Sequence, residues 1–359
     1  MKRTDPYQFH RIALAPLLPG ATEEVIDDAL SLAASLNEET FLNFLMQQGL
    51  TSMFDKVLKN RNPASNLSAH FRDSLRQARL HNTCAYLLAN SQLTLIKDTL
   101  ADAGIPHVVY KGADIRERYY SDPSLRPAVD IDVLVPCDQK FSAISAFKKA
   151  GFRFYGKEKN ISHEASLIKG KTAIDLHWDI LRPGRTRIPM TDILLKTRQD
   201  FGSHWGMSNA ANLFVMLVHP VFVRYSTTPG AQLIRMYDLV QILAAKPWEI
   251  GRVVELLDVA GLKTAAWITL QQLKLLTNTT LGDGIIKAVK PGAARQNYLS
   301  IWLKKNIATR LLDKPRLIQL GFTLPAHDQM SDAFRVLRYI KETGKTASLE
   351  LQTIEQAIV

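Results

Sequence analysis

Apolar residues recur at helical spacing through the first hundred positions. Val25, Ala29, Leu30, Leu32 and Leu36 form one run, and Phe41, Leu42, Phe44, Leu45 and Leu50 another. Each predicts an amphipathic helix, the first opening at Thr22 or a residue beside it. Asn62-Pro-Ala-Ser-Asn66 is a turn cluster. A longer helical pattern follows from Ser68 to about Ala103, with Gly104 at the place of a C′ residue. The texture then changes. Pro106–Tyr110 is short and β-rich, and Ala113–Tyr120 is helical. Val129-Asp-Ile-Asp-Val-Leu-Val-Pro136 alternates and then turns continuously apolar, as a strand buried first on one side and later on both. Phe141–Ala150 is an amphipathic helix closed by Gly151, with a short strand expected over Phe152–Tyr155. Ala165–Ile168 and Thr172–Ile180 predict a hairpin around Lys169-Gly-Lys171. Beyond Pro189 the spacing is helical again, over Ala210–Val223, Ala231–Ala244, Pro247–Ala260, Leu262–Leu276 and Ala293–Leu311. The expected organisation is a helical region (1–104), a small α/β core (105–189) and a second helical region (190–359).

Composition narrows the classes. The 359 residues are 46% hydrophobic and 22% charged, which excludes a mainly disordered chain. Cys84 and Cys137 are too few and too far apart for a disulfide framework or a cysteine zinc site. No apolar stretch is long enough to span a bilayer, and the charged first residues have no apolar segment behind them. The expectation is a cytoplasmic protein with no membrane partner. A net charge of +11 points to an anionic partner. Between Lys140 and Pro189, eleven Lys and Arg stand against four Asp and Glu, a local excess of +7. Arg182, Arg185 and Arg187 cluster there. Aromatic residues able to stack on bases are sparse, so nucleic acid is allowed but not favoured.

The sharpest chemistry is Asp130-Ile-Asp132. Residues at i and i+2 of a strand share a face, so two carboxylates stand side by side. They repel unless both are solvated, one takes a proton or a cation lies between them. Mg²⁺ or Mn²⁺ suits such oxygens, with phosphates completing the shell. Asp175, in another β-rich run, is a candidate third acid. Upstream, Lys111-Gly112-Ala113 joins a strand to a helix, a turn that offers backbone N–H groups and Lys111 to phosphate.

Tyr110 to Val135 resembles the uncharacterised bacterial nucleotidyltransferase family of the polymerase-β-like superfamily. The likeness lies in Lys111-Gly112, Tyr120 with Asp122, Arg126, and Asp130-Ile-Asp-Val-Leu-Val135. Asp175-Leu-His-Trp178 and Leu233-Ile-Arg-Met-Tyr-Asp238 extend it. The resemblance implies an α+β fold, a small mixed-sheet nucleotidyltransferase core flanked by N-terminal and C-terminal helical regions. It implies two divalent ions on Asp130, Asp132 and Asp175, with the nucleotide phosphates on Lys111, Gly112, Ala113 and Arg126. A nucleoside monophosphate would pass from an NTP to a hydroxyl or similar acceptor on a small molecule or peptide. One departure stands out: the superfamily's turn usually carries Gly-Ser or Gly-Gly, and Ala113 here supplies no hydroxyl. His177, Arg182, Arg185 and Arg235 are candidates for acceptor contacts or support of the acids. Arg235 and Asp238 are spaced for an intrahelical pair. A non-catalytic nucleotide-binding regulator and a transferase acting on RNA are the alternatives.

Overall fold

The computed structural model describes residues 7–59, 67–154, 163–224, 232–245, 249–305 and 315–339. The turn cluster at 62–66 lies outside them. Helices α1 (Gln8–Leu14), α2 (Glu23–Ala34), α3 (Glu38–Gln48) and α4 (Thr51–Lys59) precede α5 (Ala69–Asp102). Thr22, Asn37 and Ser68 cap α2, α3 and α5 by accepting N–H bonds from Val25, Thr40 and Phe71. Gly104, in the left-handed region, closes α5, and Ile105 N–H returns to the Leu100 carbonyl at 2.8 Å. The spacing leaves α1 and α4 unpredicted, because each is only two to three turns long.

The sheet runs β1 (Val108–Tyr110), β2 (Ile131–Leu134), β5 (Thr172–His177), β4 (Glu164–Lys169), β3 (Arg153–Phe154) in spatial order. Only the β2–β5 pair is parallel. Helix α6 (Gly112–Tyr119) follows β1, and α7 (Lys140–Lys149) follows β2. The pleat sorts the faces. Ile131, Val133, Ile174, Leu176 and Leu167 bury against Leu93, Ile96 and Leu100 of α5 and Ile144 and Phe147 of α7. Each such side chain contributes about 1.5–3 kcal/mol when fully buried. The opposite face carries Tyr110, Asp132 and Asp175, the last two directly opposed in the parallel register.

The C-terminal helices include α8 (Thr191–Leu195), α9 (Asn209–His219), α10 (Gln232–Ala244), α11 (Ile250–Ala260), α12 (Lys263–Thr277), α13 (Asp283–Ala288), α14 (Ala293–Lys304) and α15 (Arg316–Thr323). They do not form a separate core. Phe41, Leu45 and Phe54 of the N-terminal helices share one apolar cluster with Leu213, Leu239 and Trp267. Tyr7 Oη donates to the Leu303 carbonyl, and Gln48 Oε1 accepts from Leu233 N–H at 3.1 Å. The result is an α+β protein: a five-stranded mixed sheet flanked by helices from both ends of the chain. Among the described residues no helix is long and apolar enough to cross a membrane.

Candidate active site

The turn after β1 is under backbone strain. Lys111 has φ 55° and ψ −134°, a conformation that costs a non-glycine residue about 1–3 kcal/mol. What holds it there is visible. Its ammonium reaches Asp132 Oδ1 at 2.7 Å and lies 4.7 Å over the Tyr110 ring. Gly112 then lets Arg126 approach the backbone closely. A Cβ at Gly112 would lie 2.4 Å from Arg126 Nη1. Gly112→Ala therefore forces that buried guanidinium aside and should cost about 1–3 kcal/mol. A denaturant midpoint equal to wild type would show that the contact carries no stability.

Helix α6 begins here, directly after the strained turn. The methyl of Ala113 is fully buried in the core between sheet and α5, so only its backbone can serve a phosphate. Asp114, also fully buried, anchors the helix. Arg118 Nη1 and Asn212 Nδ2 donate to its Oδ2 at 3.0 and 2.6 Å, and His204 Nε2 lies 3.0 Å from its Oδ1.

Four groups meet on the polar face of the sheet. Asp132 Oδ1 receives Lys111 and lies 2.8 Å from His177 Nε2. Asp175 Oδ1 accepts from Ser166 Oγ at 2.7 Å across the β4–β5 ladder. Donor atoms of Asp132, Asp175 and His177 lie within 4.8 Å of one another. Asp130, just before β2, stands outside that set. Burial, reinforced by repulsion from Asp132 and Asp175, pushes its carboxyl up to about 6. Burial acts to raise Asp132 as well, but the Lys111 charge and the His177 hydrogen bond outweigh it and hold that carboxyl well below the usual range. Asp132, Asp175 and His177 form a donor set able to hold a divalent cation, with the Asp130 carboxyl beside it.

The remaining sequence candidates are spread more widely. Arg126 makes a buried two-point pair with Asp238, Nη2–Oδ2 2.7 Å and Nε–Oδ1 3.2 Å. Tyr120 Oη donates to the same carboxylate at 2.6 Å. Asp238 therefore turns to Arg126 rather than along its own helix to Arg235. Arg235 is buried, with Nη1 3.2 Å from His219 Nδ1, and its charge favours the ionised form of Asp130. Arg182 is exposed near His163. Arg185 lies 5.5 Å over the Phe222 ring, and Arg187 pairs with Asp332 at 2.9 Å. The basic excess after β2 is thus divided. Lys169 donates to the Ala150 carbonyl and Lys140 lies over Trp178.

Three groups that the spacing did not single out complete the site. Tyr110 Oη is buried without a hydrogen-bond partner among the described residues, and burial pushes its phenol well up, with the nearby acids adding to the effect. His163 and Glu164 stand beside His177. Burial, then the His177 and Lys111 charges, lowers the His163 imidazole to about 2, so it is neutral at physiological pH. A cleft of about 390 Å³ opens beside Asp130, lined by Tyr86, Arg116, Val129 and Lys171 among others. The Arg116 guanidinium lies at 4.9 Å over the Tyr86 ring.

The strained strand–turn–helix, the Asp-x-Asp segment and the parallel strand bearing Asp175 lie together in one sheet. The chain belongs to the uncharacterised nucleotidyltransferase family, whose model matches residues 34–278, including all five strands of the sheet and α6. It is a nucleotidyltransferase. A search of the curated proteins finds no match.

Proposed function

We propose that this enzyme moves a nucleoside monophosphate from an NTP to a hydroxyl of a small molecule or peptide, with Asp130, Asp132 and Asp175 holding Mg²⁺ or Mn²⁺. The observation that carries this reading is the direct opposition of Asp132 and Asp175 across parallel strands, with Asp130 beside them. When bound, the cations neutralise phosphate charge and acidify the acceptor hydroxyl. The chain's own groups supply the rest. Lys111 and the first amides of α6 face the phosphates at a positive helix end. Asp175, oriented by Ser166, takes the hydroxyl proton. The acceptor oxygen bonds to the α-phosphorus as the bond to the bridging oxygen breaks, and pyrophosphate leaves. The cleft beside Asp130 seats the acceptor, with the exposed Val129 at its rim and Arg116 in its wall. That lining suits an acceptor with an apolar part and an anionic group.

The test is incubation of the full chain with each α-³²P-labelled NTP and Mg²⁺ or Mn²⁺, together with pools of small-molecule and peptide acceptors. Pyrophosphate release with label on an acceptor is the expected result. Binding of NTP without pyrophosphate under any of these conditions would overturn the reading in favour of a regulatory binder.

A further inference from the structure

His177 has two ring nitrogens and the catalytic face uses only one. Its Nε2 meets Asp132. Its Nδ1 points the other way, is buried and has no hydrogen-bond partner among the described residues. Glu164 Oε2 lies 3.2 Å from that nitrogen, in charge contact but outside hydrogen-bond geometry. The same oxygen lies 3.5 Å from His163 Nε2. One ligand atom from each of the three residues falls within 4.8 Å of the others. We infer that His163, Glu164 and His177 form a second metal site, separate from the three acids, for a d-block divalent cation of the zinc type.

The distances support this directly. Zinc bonds of about 2.0–2.1 Å at tetrahedral angles place neighbouring donors roughly 3.3–3.4 Å apart, a spacing that the two observed separations bracket. Two imidazoles with one carboxylate favour zinc or cobalt over Mg²⁺, which prefers an all-oxygen shell. The half-exposed Glu164 gives an ion access from solvent, while both imidazoles are buried. Among the described residues, the neighbouring Lys111 is held by Asp132 and Arg182 is exposed.

The consequence reaches the catalytic face. Metal on Nδ1 fixes the His177 proton on Nε2, which then donates to Asp132 Oδ1 at 2.8 Å. The ion thereby orients a positioning residue behind the acid and takes no part in phosphorus chemistry.

The experiment strips the full chain with a chelator and titrates Co²⁺, following its visible d–d bands, and then displaces the cobalt with Zn²⁺. One tight equivalent is expected, lost to zinc and unmoved by millimolar Mg²⁺. His163→Gln and Glu164→Gln should each weaken zinc at least about 100-fold, the upper end of what loss of even an outer partner costs. Asp130→Asn and Asp175→Asn should leave zinc affinity near wild type. Thermal melts of the metal-free variants establish that each is folded, and two independent ligand variants guard against one that is not. Failure of the wild-type chain to take up zinc at micromolar concentration overturns the inference. So does a His163→Gln variant that binds like wild type, or loss of zinc in Asp175→Asn, which would move the ion to the Nε2 side. Pyrophosphate release is scored separately. Its absence would count against the proposed transfer reaction and leave the zinc site standing.

Discussion

Replacement of Asp130 by Asn should lower nucleotide transfer about 10³-fold or more, since losing a cation ligand removes several kcal/mol of transition-state stabilisation. The same change should raise the melting temperature of the metal-free protein at pH 7. The two effects have opposite signs for one reason. Burial, Asp132 and Asp175 hold the Asp130 carboxyl at about 6, against 3.8 ordinarily. A folded-state value above the unfolded one means that this group's stabilisation is present below about pH 4 and is lost as pH rises through about 6. Asn carries no charge to penalise, so the variant loses that slope. Cation binding requires the ionised acid, so Mg²⁺ binding should release a proton and weaken below about pH 6. Calorimetry in buffers of different ionisation enthalpy measures the proton count. An Asp130→Asn protein that melts lower than wild type without metal, or still transfers nucleotide, would remove Asp130 from the site. Asp132→Asn is a less clean test, because it leaves the buried Lys111 ammonium without its carboxylate partner.

Breaking the Arg126–Asp238 pair should have the largest effect on stability. Asp238 is fully buried and Arg126 nearly so. Asp238→Asn leaves a buried guanidinium without its counter-charge, which typically costs about 3–5 kcal/mol. It also weakens the acceptor for Tyr120. The Arg126→Met, Asp238→Leu double variant should recover much of the loss, since an apolar pair of similar volume avoids both desolvation penalties. Urea midpoints of wild type, Arg126→Met, Asp238→Leu and the double complete the cycle. Near-additive losses would show that the two residues are not energetically coupled. The pair joins the loop before β2 to α10, so its loss should also misplace Asp130 and lower transfer.

Much of the site lies in local pattern. The acidic strand, Lys111-Gly112 at a strand end and the β4–β5 hairpin all follow from short-range rules, and the structure contains each, with β2 beginning at Ile131 so that Asp130 stands just before it. His163 and Glu164 were within reach too. A two-residue turn at Gly170-Lys171 sets Lys169 against Thr172 and, counting back, Ser166 against Asp175 and Glu164 against His177. Beginning the strand at Ala165 hid that pairing. The spacing of Arg235 and Asp238 misled for a different reason. An exposed i,i+3 pair contributes only a few tenths of a kcal/mol, whereas a buried carboxylate must find the guanidinium that can reach it with two bonds.

The sequence by itself determined most of the elements, the face of the sheet on which Asp132 lies and the family to which the motif points, because strand alternation and turn chemistry act over a few residues. Only the tertiary structure decided that Asp175 stands opposite Asp132, that Arg126 closes on Asp238 and that both helical ends share one core. Parallel pairing and buried ion pairs join residues that are dozens of positions apart. No local periodicity encodes them; burial of the whole apolar surface selects them.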